Sequence, residues 1–307
     1  MNRIHTEAQS DIWSDWLLHR RHADNAEYDE VVRSVTERYA DRVIDGAQLD
    51  CGMTLVDIGA GDGLVAFRAI DRIGASLKVL LTDISSPMLR HAEGLAIERG
   101  VRRQCTFVEC SAERLKGISD GSVDAVTTRS ALAYVPDKRA ALREFYRILK
   151  PGGRLSIAEP IFQDDALATK DLRSKLDVVA SDSRDSFLPL LHRWKAAQYP
   201  DTDETIQTSA IANYSERDLL RFAQDSGFSE IHVELHMNVS TSIFNSWEVF
   251  LGISPHPLAP TLHTILANQF SEDERQLFEK TLRPIVEDPE SVSTDRMAYV
   301  TARKSLK

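Results

Sequence analysis

Between residues 54 and 150, short apolar runs alternate with segments of helical pattern, and this alternation constrains the fold more than any other feature of the sequence. The runs are TLVDIG, KVLLTDI, CTFVEC and VDAVTTRS, and helices are predicted at 64–73, 87–100 and 138–149. Strands separated by helices in this way form βαβ units with a parallel sheet. Right-handed crossovers place the carboxyl ends of such strands at one edge, where ligands bind.

The second half of the chain continues the sheet but interrupts it twice. In LKPGGRLSIAEPIF, Lys150 is predicted to close a helix, residues 151–153 to make a turn, and residues 154–159 to form a fifth strand. YSERDLLRFAQDSGF is predicted to be a helix with Ser215 as its N-cap and Gly227 as its stop. SEIHVELHM is predicted to be a sixth strand and RMAYVTAR a seventh.

The predicted architecture is therefore an α/β, Rossmann-like three-layer sandwich with helical segments over its ligand edge. The two insertions follow the fifth and sixth strands, so both begin at that edge. The expected divisions are an N-terminal helical lid at 1–44, a core at 45–162, a helical cap at 163–212, core again at 213–237, a second helical cap at 238–294, and a last strand with tail at 295–307.

Composition narrows the class of partner. A formal net charge of -10 disfavours nucleic acid and anionic membrane surfaces, because both need clustered Lys and Arg. No apolar run approaches the roughly 18 residues of a membrane span, and the N-terminus lacks a signal-peptide core, so a cytoplasmic location is predicted. The three cysteines show no metal-ligand spacing and are interpreted as reduced thiols, and no metal is expected.

The stretch LVDIGAGDGLVAF holds a glycine-rich turn flanked by Asp57 and Asp62. A dinucleotide fingerprint would need a third glycine where Leu64 stands, and a pyrophosphate would be repelled by Asp62. A Walker A loop is excluded because no G-K-[ST] follows. A ligand with a nucleoside and a positive charge but no phosphate removes the conflict, and Asp83 at the end of the second strand could accept hydrogen bonds from its ribose. S-adenosylmethionine has these features.

With these motifs in order, residues 52–161 resemble the class I S-adenosylmethionine-dependent methyltransferases, and LKPGGRLSIAEP resembles the branch of ubiquinone and menaquinone C-methyltransferases. The resemblance implies a seven-stranded, mostly parallel sheet with an antiparallel last strand, and S-adenosylmethionine as cofactor, with S-adenosylhomocysteine as product. It departs at Ser111, where an Asp is common, and at Arg129, where a small residue or Asn is common. The implied cofactor-binding residues are Asp57, Gly59, Ala60, Gly61, Asp83, Ile84, Met88, Ser111, Ala112 and Arg129.

A methyltransferase of this kind mainly aligns the nucleophile, methyl group and sulfur, and needs a base only if the acceptor must lose a proton. The predicted candidates for such a residue near the ligand edge are Glu159, Tyr134 and His192.

The stretch DIWSDWLLHRRH allows two interpretations. One is an amphipathic helix that packs its tryptophans into the core and leaves its arginines in solvent. The other is a lid whose aromatic face covers an apolar acceptor while its basic end holds a carboxylate or phosphate. The residues predicted to bind the acceptor are Trp16, His19, Arg20 and Arg21, and, from the first insertion and the segment after it, Trp194, Tyr199 and Tyr214.

The sequence thus predicts methyl transfer to a small, partly apolar metabolite, by direct attack of the acceptor on the cofactor methyl. The main alternative is a non-catalytic nucleoside-binding scaffold on the same core, and a nicotinamide-dependent oxidoreductase is disfavoured by Leu64 and Asp62. No nucleic acid or membrane partner is expected, and a homodimer is left open.

Overall fold

A computed structural model of the chain describes residues 10–179, 187–243 and 246–306. For residues 177–179 it describes the backbone alone. The parts of the expected divisions at 1–9, 180–186, 244–245 and 307 lie outside the described residues. No helix in the described part of the chain is long and apolar enough to cross a membrane.

One seven-stranded sheet forms the centre, in the order β3-β2-β1-β4-β5-β7-β6. β1 to β5 are mutually parallel, and β7 runs antiparallel to both β5 and β6. The strands are β1 Thr54–Ile58, β2 Lys78–Asp83, β3 Cys105–Glu109, β4 Val123–Arg129, β5 Leu149–Pro160, β6 Ser229–Thr241 and β7 Val292–Arg303. The prediction of a mostly parallel sheet with an antiparallel last strand is confirmed.

Helices cover both faces of the sheet, which gives the predicted three layers. One apolar core lies under the helices α2 Ala26–Ala47, α3 Leu64–Ile73 and α4 Ser86–Glu98. The other lies under α5 Lys138–Ile148 and α9 Glu216–Asp225. The strand order reverses between β1 and β4, and in open sheets of this type the ligand crevice lies outside the carboxyl ends of the strands at that point.

The remaining helices lie outside the two core layers. They are α1 Ile12–Asp15, which continues as a π-helical turn Trp16–Arg20, then α6 Gln163–Val179, α7 Leu188–Ala196, α8 Asp203–Thr208, α10 Trp247–Gly252, α11 Leu262–Gln269 and α12 Glu272–Val286. The two insertions share a third apolar core, in which Trp194 of α7 lies with Trp247 of α10 and Phe278 of α12. The caps therefore support each other as one structure.

Two strands differ from their predicted bounds. Residues 151–153 are not a turn: β5 begins at Leu149 and runs through these residues as a bulge, since Val123 pairs with Leu149 but Ala125 already pairs with Arg154. Pro151 is tolerated there because a bulge leaves a residue without a ladder hydrogen bond. β6 continues to Thr241 and β7 begins at Val292. The antiparallel pair β6–β7 therefore includes residues that the sequence assigns to the second cap.

The predicted N-terminal helical segment consists of two parts separated by a break at Ala23 and Asp24. Ala23 and Asp24 both have φ near +50°, and Asn25 restarts the helix because its side chain accepts a hydrogen bond from the Tyr28 amide at 2.8 Å. The lid turn Ile12–Arg20 is therefore a separate element from α2.

Candidate active site

The glycine turn after β1 presses its backbone against the loop after β4. Gly59 has a φ of +63°, and a Cβ built on it would lie 2.3 Å from the Cβ of Ala131. Gly61 has a φ of +55°, and its missing Cβ would lie 3.1 Å from Cδ2 of Leu17 in the lid. Gly59 needs glycine for both conformation and space, and Gly61 needs it for conformation. The turn therefore offers open backbone at the crevice.

Asp83 ends β2 with both carboxylate oxygens held by the backbone. Oδ2 accepts a hydrogen bond from the Gly61 amide and Oδ1 from the Ser85 amide, both at 2.9 Å. The N-cap of α4 is Ser85, whose hydroxyl accepts from the Met88 amide, so Asp83 is not needed as a cap. Burial raises the pKa of Asp83 above its usual range. The carboxylate is thus fixed in place with lone pairs left for a ligand.

Asp57 lies deeper than the sequence suggests. Its Oδ1 accepts from the Thr127 hydroxyl at 3.0 Å, and its Oδ2 is buried without a hydrogen-bond partner in the described part of the chain. Burial raises its pKa to about 7. Asp57 is not among the residues that line the crevice, so its contact with the cofactor stays a prediction.

A cavity of about 370 Å³ occupies the crevice at the switch point. Apart from Asp57, all the residues predicted to bind the cofactor line it: Gly59, Ala60, Gly61, Asp83, Ile84, Met88, Ser111, Ala112 and Arg129. Asp62 lines it as well. At the glycine turn, the carboxylates of Asp62 and Asp83 suit the positively charged sulfur of S-adenosylmethionine and would repel a pyrophosphate placed against that turn.

The lid closes the cavity from the other side. Trp13, Trp16, Leu17 and Arg21 all line it. Trp16 donates from Nε1 to the Ser254 carbonyl at 3.0 Å, and the Ser254 amide donates to the Arg20 carbonyl at 3.1 Å. The N-terminal turn is therefore bonded to the loop that follows α10, and its aromatic face points into the site.

Arg20 and His19 do not reach the cavity. The Arg20 guanidinium donates to the carbonyls of Ala259 and Pro257, at 2.9 and 3.0 Å, and pairs with Asp15. The exposed His19 lies 2.7 Å from Asp24. The predicted basic cluster is therefore split, with Arg21 inside the site and Arg20 fastening the lid.

The three predicted acceptor residues beyond the lid lie elsewhere. Trp194 is in the shared core of the caps, and Tyr214 is fully buried with its hydroxyl donating to the Pro160 carbonyl at 2.7 Å. Tyr199 packs against Phe162 and His256, behind the cavity wall. Each aromatic ring fills a packing position, which irregular aromatic spacing does not distinguish from a binding position.

Only one of the three predicted catalytic candidates lines the cavity. Tyr134 does, with its ring 5.3 Å from that of Trp13. Glu159 is fully buried and accepts hydrogen bonds from the amides of Ala131, Leu132 and Ala133 at 3.0 to 3.1 Å. His192 on α7 is bonded to Asp201 at 3.0 Å, away from the cavity. Burial raises the pKa of Glu159 to about 6, but the amides engage both of its oxygens.

Several lining residues were not proposed from the sequence. Phe162 and Pro160 come directly at the carboxyl end of β5, so the rule that ligands bind at strand ends could have found them. Tyr39, Pro255 and Pro257 also line the cavity, and no local pattern marks them. They reach it only because α2 and the second cap fold over the sheet.

This sheet order, with a glycine turn after β1 and a fixed acidic residue at the end of β2, defines the class I S-adenosylmethionine-dependent methyltransferase fold. Residues 56–157 match the sequence model of a family described as methyltransferase domain. Over residues 56–157 this match confirms the predicted methyltransferase class, whose cofactor is S-adenosylmethionine.

Similarity to individual proteins is concentrated in that domain. The chain is 38% identical over 113 residues to the ubiquinone/menaquinone biosynthesis C-methyltransferase UbiE of Xylella fastidiosa, which covers 37% of this chain and 44% of the relative. It thus spans under half the length of the curated relatives it matches. Among solved structures, the YcgJ protein of Bacillus subtilis has a TM-score of 0.55 at 18% identity, covering 87% of this chain and 98% of that one. The cyclase SpnF has a TM-score of 0.54 at 19% identity, covering 94% and 89%. These two structures show the fold alone.

Proposed function

We propose that this protein transfers a methyl group from S-adenosylmethionine to a small, partly apolar acceptor by direct displacement. The observation that carries the proposal is one cavity with two different walls. The glycine turn and Asp83 form a polar wall suited to the cofactor, and the lid and the end of β5 form an aromatic wall. The match to a methyltransferase domain and to C-methyltransferases supports the reaction type.

When bound, the cofactor would supply a methyl group on a positively charged sulfur. A lone pair of the acceptor would form the new bond to the methyl carbon, the carbon–sulfur electron pair would stay on sulfur to give S-adenosylhomocysteine, and any proton on the acceptor atom would pass to solvent. The chain's own contribution is alignment and exclusion of water, which can lower such a barrier by roughly 7 to 11 kcal/mol. The hydrogen bonds that join Trp16 and Arg20 to the second cap hold the lid over the cavity for this purpose.

No histidine or lysine lines the cavity in the described part of the chain. Burial raises the pKa of Tyr134 above its ordinary value, so its hydroxyl is neutral at physiological pH and can donate a hydrogen bond to the acceptor rather than abstract a proton. Glu159 and His192 are not proposed as bases, since neither lines the cavity. This arrangement favours an acceptor whose nucleophilic atom needs no strong base.

The aromatic wall sets the acceptor class. Trp13, Trp16 and Phe162 line it together with Pro160 and Pro257. These side chains suit a flat or branched apolar group. A cytoplasmic location, the absence of nucleic acid and membrane partners, and a homodimer all stay predictions from the sequence.

The experiment is a methyl-transfer assay on a metabolite extract with isotopically labelled S-adenosylmethionine and mass detection of products. We expect a small apolar product that carries the labelled methyl and is absent with Asp83→Asn. Because the cyclase SpnF shares the fold, the assay also scores products of unchanged mass. Binding of S-adenosylhomocysteine without any labelled product would instead favour a nucleoside-binding scaffold.

A further inference from the structure

The outermost strand on one side of the sheet, β6, has an edge without a strand partner. It is the last strand in the sheet order, and among the described residues only β7 pairs with it. A register shift between Ser229 and His232, together with a φ of +49° at Glu230, makes the first residues of β6 a bulge. Beyond this bulge, residues 232–241 pair regularly with β7 and present their outward backbone amides and carbonyls on the other side.

One face of this edge carries an exposed apolar stripe. Alternate residues of a strand point to the same face, and Leu235, Met237 and Val239 are 37, 58 and 67% exposed. Ile231 and Val233 precede them on the same face and pack against the core under α9. The stripe therefore continues past the part of the strand that the core covers.

The usual protection of an edge strand is missing beyond the bulge. Edge strands commonly carry Lys or Pro, which prevent pairing with another chain. Residues 231–241 contain neither, and the one carboxylate among them, Glu234, is paired with Arg42 of α2. Two copies that each carry a net charge of -10 repel each other over most of their surface, but this edge adds little to that repulsion.

The apolar stripe is complementary to a second copy of itself at one register. A two-fold axis perpendicular to the sheet pairs two β6 strands antiparallel and keeps the same face of both on one side. With the axis at Met237, this residue lies opposite its own copy, and Leu235 lies opposite the partner's Val239. The three exposed apolar side chains of each strand then cover those of the other.

The polar face agrees with the same register. Glu234 lies opposite the partner's Ser240, and His236 lies opposite the partner's Asn238, so no like charges meet. An axis at His236 would instead set this imidazole against its own copy. An axis at Leu235 would shorten the regular pairing to residues 232–238, because the bulge begins before them. The axis at Met237 pairs residues 233–241 and leaves the bulge outside.

We propose that β6 is the contact surface for a second copy of this chain, paired antiparallel about Met237. The axis reverses every strand of the partner, so the ligand edges of the two sheets lie at opposite ends of the pair. Each cavity is then built from one copy alone. The inference is therefore independent of the proposed function.

The first test is sedimentation equilibrium of the full chain over about 1–100 µM, where we expect the average mass to rise towards that of a dimer. Met237→Lys sets two ammonium groups against each other at the axis and should raise the dissociation constant at least about tenfold. Ile97→Lys is the matched control, because Ile97 is 62% exposed but lies on α4, away from β6. It should leave the dissociation constant unchanged.

The second test fixes the register by disulfide formation, in a Cys51→Ser background that removes an exposed thiol. Met237→Cys should form a covalent dimer on mild oxidation, because opposite Cα atoms lie about 4.5–5.5 Å apart, within the range of a disulfide. Leu235→Cys alone should not, because its two copies lie four residues apart along the strands, about 13 Å. A mixture of Leu235→Cys and Val239→Cys should form the covalent dimer again.

Three outcomes would overturn the proposal. The first is a chain that stays monomeric over this range with no covalent dimer of Met237→Cys. The second is a disulfide between two copies of Leu235→Cys, which requires another register. The third is an equal loss of association in Ile97→Lys and Met237→Lys. Calorimetry with S-adenosylhomocysteine should give the same affinity for Met237→Lys as for wild type, which shows that the variant is folded and keeps this test separate from that of the proposed function.

Discussion

Gly59→Ala perturbs the point where the glycine turn meets the loop after β4. An alanine there must adopt the observed φ of +63°, which costs about 1–2 kcal/mol for a residue with a Cβ. The new Cβ would also lie 2.3 Å from Cβ of Ala131, and overpacking of this kind costs about 1–3 kcal/mol. We therefore expect a loss of about 2–5 kcal/mol in unfolding free energy, or a shifted turn that binds the cofactor poorly.

Gly100→Ala separates the two contributions. Gly100 has a φ of +71° with nothing within 4 Å of its missing Cβ, so only the backbone cost applies. Adding Ala131→Gly to Gly59→Ala removes the facing Cβ and should restore about 1–3 kcal/mol. The measurements are urea unfolding and calorimetry with S-adenosylhomocysteine. Equal losses for Gly59→Ala and Gly100→Ala, together with no recovery in the double variant, would refute the close-approach argument.

Three further predictions concern buried polar groups and the lid. Glu159→Ala leaves three buried amides without an acceptor and should cost at least about 3 kcal/mol by urea unfolding; a loss under about 1 kcal/mol would contradict the contacts. Burial raises the pKa of Asp57 to about 7, so the folded chain holds the carboxyl proton more tightly than the unfolded chain does. The protonated carboxyl therefore contributes fully to stability below about pH 4, and this contribution is lost as pH rises through about 7. The loss is at most about 1.4 kcal/mol per pH unit. Asp57→Asn should flatten that part of the stability profile, and an unchanged slope would count against the assignment. Arg20→Ala should speed hydrogen exchange of the Ser254 amide by about tenfold or more, because that amide donates to the Arg20 carbonyl and the side chain fastens the same loop; an unchanged rate would show that the lid closes without it.

The sequence predicts the sheet well where neighbouring residues determine the structure. Gly63, Ser85 and Ser215 mark the beginnings of α3, α4 and α9, and the four apolar runs within residues 54–130 become β1 to β4. Errors occur where distant pairing decides the end of a strand. β6 extends to Thr241 because β7 pairs with it. Val239 in this extension is 67% exposed, so burial of apolar side chains does not mark the end of the strand.

The two walls of the cavity also differ in how well the sequence predicts them. The cofactor wall consists of residues that directly follow β1 to β4, and a strand-by-strand rule locates them. The acceptor wall is assembled by segments far apart in the chain, such as Trp16 and Ser254, whose contact only the folded chain defines. Trp194 and Trp13 are the same residue type and the sequence does not distinguish their roles. Trp194 lies in the core of the caps, whereas Trp13 lines the cavity.

The most direct test of the central claim is calorimetric titration of the chain with S-adenosylhomocysteine and with NADH. We expect S-adenosylhomocysteine alone to bind, and Asp83→Asn to weaken it at least about tenfold, since that carboxylate lies between the glycine turn and α4. Asp124→Asn, at the opposite end of the strands where Asp124 accepts from the Thr54 amide, should leave binding unchanged. Binding of NADH in place of S-adenosylhomocysteine, or full affinity in Asp83→Asn, would contradict the account.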